Sequence, residues 1–108
     1  MNEKININKD DIRNHLNKAI EINPDYTEAY YELGMRCLSD GNPNQAEKYF
    51  LQSIETNKKI PASYYQLGKI CMDKEDFKTA LKYLLNTTKL DDGYADAYFQ
   101  LGIIYKIL

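Results

Sequence analysis

The chain has 108 residues, 44% of them hydrophobic, with a formal net charge of −2, which suits one domain with a core of ordinary size. It has no run of about 18 apolar residues for a membrane span, and residues 1–8 lack the apolar core of a signal peptide. The acidic balance, and a basic segment without arginine, argue against nucleic acid, so the expectation is a cytoplasmic protein with neither membrane nor nucleic-acid partners.

Taken in order, residues 1–7 are polar apart from Ile5 and Ile7 and are expected to fray or form a partial turn. Helical periodicity then predicts six helices, at 9–22, 27–40, 43–57, 61–74, 77–90 and 95–108, and no strand. Asn8, Asn42 and Asp76 stand 34 residues apart at the starts of the first, third and fifth helices, as side chains that can accept from free amides there. Pro43 suits a first helical position, and Gln45 stands where a capping-box partner would reach back. Ile12, Leu16, Ala19 and Ile20 share one face of the first helix, matched in the third by Ala46, Phe50, Ser53 and Ile54 and in the fifth by Ala80, Leu84, Thr87 and Thr88. Turn residues separate the helices around Asn23-Pro24-Asp25, Asp40-Gly41, Asn57 to Pro61 and Asp91-Asp92-Gly93.

Between these helices one string recurs three times at a 34-residue interval: Tyr30-Tyr31-Glu32-Leu33-Gly34, Tyr64-Tyr65-Gln66-Leu67-Gly68 and Tyr98-Phe99-Gln100-Leu101-Gly102. A fixed period of this size signals stacked units that cannot bury their apolar faces alone. Glycine in the middle of a helix costs about 1 kcal/mol relative to alanine. Its recurrence therefore argues that another helix passes close by, with Ala46 and Ala80 as the expected opposing small residues. Cys37 and Cys71 repeat in register and should face inward, too far apart for a disulfide.

The pattern resembles the tetratricopeptide repeat over about nine-tenths of the chain. One unit supplies Tyr30, Leu33, Gly34, Cys37, Ala46 and Phe50, the next Tyr64, Leu67, Gly68, Cys71, Ala80 and Leu84, and a third begins with Tyr98, Leu101, Gly102 and Tyr105. Tyrosine replaces the signature tryptophan, cysteine replaces the second aromatic twice, and Lys58 and Asp92 stand where Pro24 follows the pattern. The resemblance implies an all-α solenoid, a right-handed superhelix of antiparallel helix pairs. Residues 1–108 would form one domain, with an unpaired second-type helix at 8–23, repeats at 27–57 and 61–90, and an unpaired first-type helix at 95–108.

The resemblance further implies a non-catalytic module that binds a protein or peptide on the concave face of its first-type helices. That face would be carried by Glu28, Tyr31, Met35, Leu38, Tyr65, Lys69, Met72, Phe99 and Ile103, with Tyr31, Tyr65 and Phe99 as an aromatic row. The lysine and asparagine clamp of chaperone-binding members is not matched, since Tyr31, Met35, Tyr65 and Lys69 occupy those places. The last predicted helix is apolar nearly all round, which calls for cover on both sides. Self-association through Phe99, Ile103, Ile104, Ile107 and Leu108, with the unpaired 9–22 helix of another copy as one candidate cover, is the second expectation, and a longer array or larger protein in which this chain is a recruitment fragment is the third. His15 has no partner spaced to make it a general base, the cysteines lack metal-site spacing, and no phosphate-binding glycine loop occurs. No catalytic residue, metal or cofactor is expected. Charge is uneven along the chain: residues 24–57 hold six acids and two bases, a net −4, and residues 58–91 hold seven lysines and four acids, a net +3.

Overall fold

The computed structural model describes residues 5–108, so the expectation for residues 1–4 lies outside the described residues. Six helices follow one another: α1 Lys9–Ile22, α2 Thr27–Ser39, α3 Pro43–Thr56, α4 Pro61–Asp73, α5 Phe77–Leu90 and α6 Ala95–Ile107. All six begin at the residue read from the periodicity, and four of them end one residue earlier. Each helix packs mainly on its neighbours in the chain. That arrangement draws the molecule out to 53 × 31 × 26 Å with a radius of gyration of 15.7 Å, above the roughly 13 Å of a compact domain this long. The fold is an all-α solenoid in which α2, α4 and α6 are first-type helices and α1, α3 and α5 second-type.

Two kinds of turn alternate. After α2, Gly41 adopts the left-handed conformation at φ 78°, and the amides of Asn42 and Gly41 donate to the carbonyls of Cys37 and Leu38 at 2.8 and 3.1 Å. This is the double bond of a Schellman closure. After α4 the same pair of bonds forms from Asp76 to Cys71 and from Glu75 to Met72, at 2.9 and 3.0 Å. There the left-handed residue is Glu75, at φ 59°, which bears the steric cost that glycine avoids. The second-type helices end differently. The side chains of Asn23, Asn57 and Asp91 accept from the amides of Asp25, Lys59 and Gly93 at 3.1, 2.9 and 3.0 Å. This turn is closed by the Asn or Asp side chain, so Lys58 and Asp92 can stand where Pro24 stands.

Helix starts follow the expectation in two of three cases. Asn8 accepts from the Asp10 amide at 2.9 Å and Asp76 from the Thr79 amide at 3.4 Å. Asn42 makes no side-chain cap; its backbone alone bridges the helices, donating to Cys37 and accepting from Ala46 at 3.0 Å.

The glycine notches are real, but their occupants differ from the expectation. A β-carbon on Gly34 would lie 2.6 to 2.9 Å from the Phe50 ring, and one on Gly68 would lie 2.8 Å from Leu84. Ala46 and Ala80 are fully buried, yet it is the large side chain one turn further along the second-type helix that enters each notch. Two cores result, each shared by three successive helices. Cys37, Ala46 and Phe50 join Leu67 and Ile70 of the next unit, while Cys71, Ala80 and Leu84 join Ala97, Leu101 and Ile104. Both cysteines are free and buried. Ile104 repeats the position of Ile70 and is fully buried against the preceding unit, so it is withdrawn from the surface expected to meet a second copy. Across the α3–α4 seam, the Ser53 and Ser63 hydroxyls bond at 2.7 Å, which satisfies two polar groups in a dry place.

At Gly102 nothing lies within 4 Å of an added β-carbon. Equilibrium denaturation of three alanine variants should therefore split by sign. Gly34→Ala and Gly68→Ala lose about 1–3 kcal/mol through overpacking, whereas Gly102→Ala gains up to about 1 kcal/mol from helix propensity. A uniform response would refute the notch account. In the same assay Glu75→Gly, which removes the left-handed strain, should raise stability by about 1 kcal/mol, and a loss would show that the strain is absent.

Candidate interaction surface

Tyr31, Tyr65 and Phe99 hold the same register on the three first-type helices, and their exposure differs with the side chains that neighbouring elements lay over each. Tyr31 is half-buried, with its ring centroid 5.6 Å from that of Phe50. Tyr65 is only 8% exposed, because Tyr94 from the next unit packs on it at 5.1 Å and Lys69 Nζ lies 5.7 Å from its centroid. Phe99 remains 65% exposed. The expectation that Tyr65 is left over for a partner is therefore corrected: the stack itself covers the ring.

Burial raises the phenol pKa of Tyr31, Tyr65 and Tyr94 above the ordinary 10.0. For Tyr94 the neighbouring phenols of Tyr31 and Tyr65 add to the rise, while the Gln66 and Gln100 amides act in the opposite direction on Tyr31 and Tyr65. Tyr94 thus joins the row, a role the sequence reading missed by leaving it in a turn. The signal was its place 34 residues after Ile60 and 68 after Tyr26.

The remaining side chains expected on this face fall into two groups. Met35, Leu38, Met72 and Ile103 are half-buried; Met35 and Leu38 lean on the first core and Met72 on the second. Glu28 and Lys69 are exposed. Of the residues expected to serve self-association, Phe99, Ile107 and Leu108 are open and Ile103 is half-buried, while Ile104 is interior.

His15 is exposed, and its Nδ1 donates to the Asp11 carbonyl one turn back at 2.6 Å. Burial, the largest influence on each, pushes the Cys37 and Cys71 thiols up from 9.0, away from the reactive thiolate. Among the described residues no three His, Cys, Asp or Glu side chains gather to hold a metal ion, and no helix is long and apolar enough to cross a membrane. A depression lined by Gly41, Asn42, Pro43, Asn44 and Gln45 belongs to the α2–α3 turn and not to the aromatic row.

Comparison with known proteins agrees with this geometry. Tetratricopeptide repeat models match residues 15–48 and residues 61–93, together more than half of the chain. Among solved structures, a crystal structure of MamA superposes with a TM-score of 0.78 at 24% identity, covering 94% of this chain and 66% of that one. A second MamA crystal structure gives 0.79 at 26% identity, covering 91% of this chain and 55% of that one. The chain thus spans little more than half to two-thirds of the structures it resembles. Comparison with curated proteins gives no significant match. The chain belongs to the tetratricopeptide repeat family, as a helical scaffold for protein interaction.

Proposed function

We propose that the first-type helices hold an amphipathic helix or extended segment of a partner protein through apolar contacts, without catalysis. The observation that supports this is the set of half-open apolar side chains, Tyr31, Met35, Leu38, Met72 and Ile103, at repeating positions on α2, α4 and α6. Tyr31, Met35, Leu38 and Met72 are anchored on a core on one side and open on the other, so little of their rotamer freedom remains to be lost on binding. Glu28, Lys69 and Asp96 are exposed charges of alternating sign on the same helices. Such a rim sets orientation and register more than affinity. The depth of Tyr65 assigns it to support: it holds the platform on which the others stand.

Selection of a random peptide phage library on the full chain tests the proposal. Recovered peptides should carry apolar residues at helical or alternate spacing, and Met35→Glu or Met72→Glu should weaken their binding by tenfold or more, about 1.4 kcal/mol, with circular dichroism unchanged. Failure to enrich any peptide, or indifference to both substitutions, would overturn it.

The phenols set a pH limit for the same platform. Their folded pKa values lie above 10.0, so their contribution to stability is full below that value and is lost as pH rises through the folded value. The melting temperature should hold up to about pH 9 and fall beyond pH 10, in step with tyrosinate absorbance. A platform that melts only with lysine titration, after the phenols have ionised without effect, would contradict this.

A further inference from the structure

The outer side of α5 carries a row of cations that the fold does not use. The helix buries Ala80, Leu84 and Thr87, and helical spacing puts Lys78, Lys82, Leu85 and Lys89 together on the opposite side. All four are exposed, Leu85 at 44%. No acid occurs in α5, and none of its three lysines joins an ion pair among the described residues, whereas Lys9, Lys18 and Lys74 each reach a carboxylate. The nearest acids in sequence lie beyond the ends of the row, Glu75 and Asp76 before it and Asp91 and Asp92 after it. Of these, Asp76 and Asp91 already accept from the amides of Thr79 and Gly93.

The repeat shows that this row belongs to α5 and not to second-type helices in general. The same four positions read Asp10, Asn14, Asn17 and Glu21 on α1, and Asn44, Lys48, Leu51 and Glu55 on α3. Their charges therefore run −2, 0 and +3 from α1 to α5. Stability gives no reason for the last value. Lys78, Lys82 and Lys89 stand outside both cores, and like charges four residues apart, as at Lys78 and Lys82, disfavour a helix. Leu85 also keeps an apolar group in the open among them, as Leu51 does at the same register on α3.

From this we propose that the outer face of α5 is a second docking surface, and that its occupant is an acidic segment of a partner protein with one large apolar residue set among its carboxylates. The inference is independent of peptide binding on the first-type helices. From Lys78 to Lys89 the row runs about 16 Å along the axis, so an acidic helix laid alongside can match it turn for turn. Exposed ion pairs contribute little apiece. The lysines thus steer and orient the segment, and Leu85 supplies a contact that salt does not screen. A lipid surface fits less well, because a single leucine in the row gives little to insert. Nucleic acid fits less well too, since three lysines without arginine neutralise few phosphates and read no base.

Fluorescence anisotropy on the full chain tests it, with a labelled helical peptide that copies the spacing of the row, glutamate standing opposite each lysine and leucine opposite Leu85. Binding should saturate at low salt and weaken as salt is raised, and the same peptide with glutamine for glutamate should not bind. A triple variant, Lys78→Gln with Lys82→Gln and Lys89→Gln, should weaken binding tenfold or more, and Leu85→Ser severalfold. Both should keep the wild-type circular dichroism and still bind the peptides selected on the first-type helices. An acidic peptide that fails to bind the wild type, or binds the triple variant equally well, would overturn the proposal. So would indifference to Leu85→Ser, which reduces the row to unspecific attraction, or loss of both kinds of peptide together. A preference for phosphatidylserine vesicles or a DNA duplex over the peptide would overturn it in favour of a lipid or nucleic-acid surface.

Discussion

Everything in this structure depends on a notch and the side chain that enters it. Gly34 and Gly68 give up a β-carbon, and with it some helix propensity, so that Phe50 and Leu84 can press against bare backbone. That contact sets how closely the two helices of a unit approach. With the separation set, the outer faces of the pair present Leu67 and Ile70, or Leu101 and Ile104, to the preceding unit at a repeating distance. Neither core could form inside a single helix pair, because each draws buried residues from three successive helices. Stability is therefore distributed along the stack, in the manner of nearest-neighbour repeats.

Because the cores are shared between neighbours, the fold was legible from periodicity while the surface was only partly so. Helix starts could be read because Asn8, Pro43, Pro61 and Asp76 act within a turn of their own position. The glycine notches could be located but not filled correctly. Spacing shows that some group must pass Gly34, while choosing Phe50 over Ala46 requires the rotation of one helix against another. Tyr65 and Ile104 were misjudged for a related reason. Helical spacing separates faces within a helix, and the partner of Tyr65 is Tyr94, which lies 29 residues away at the entry to the next unit. The repeat held that information in Tyr26, Ile60 and Tyr94, a column that hides in the turns because its members differ in kind.

Turn chemistry shows how departures from the family pattern can be harmless or costly. Lys58 and Asp92 replace a proline without consequence, since Asn57 and Asp91 close those turns through their own side chains. Glu75 replaces the glycine that its counterpart Gly41 supplies, and the closing hydrogen bonds are kept at the expense of a left-handed glutamate. The first substitution moves a constraint from one residue to its neighbour. The second leaves the constraint in place and meets it with an unsuited side chain.

A first-type helix in this stack has three faces to account for. On α4, one meets α5 through Gly68, one meets α3 through Leu67 and Ile70, and the third, carrying Tyr65, Lys69 and Met72, is left to the solvent side with Tyr94 laid across it. Two faces thus maintain the fold, with Leu67 fully buried on one of them, while Met72 on the third is only half-buried. On α6 the division is different. Only the face bearing Ala97, Leu101 and Ile104 is covered, and two apolar faces, one with the empty Gly102 notch and one with Phe99, stay open. α4 is thus packed on two faces and covered by Tyr94 on the third, while α6 is packed on one face alone.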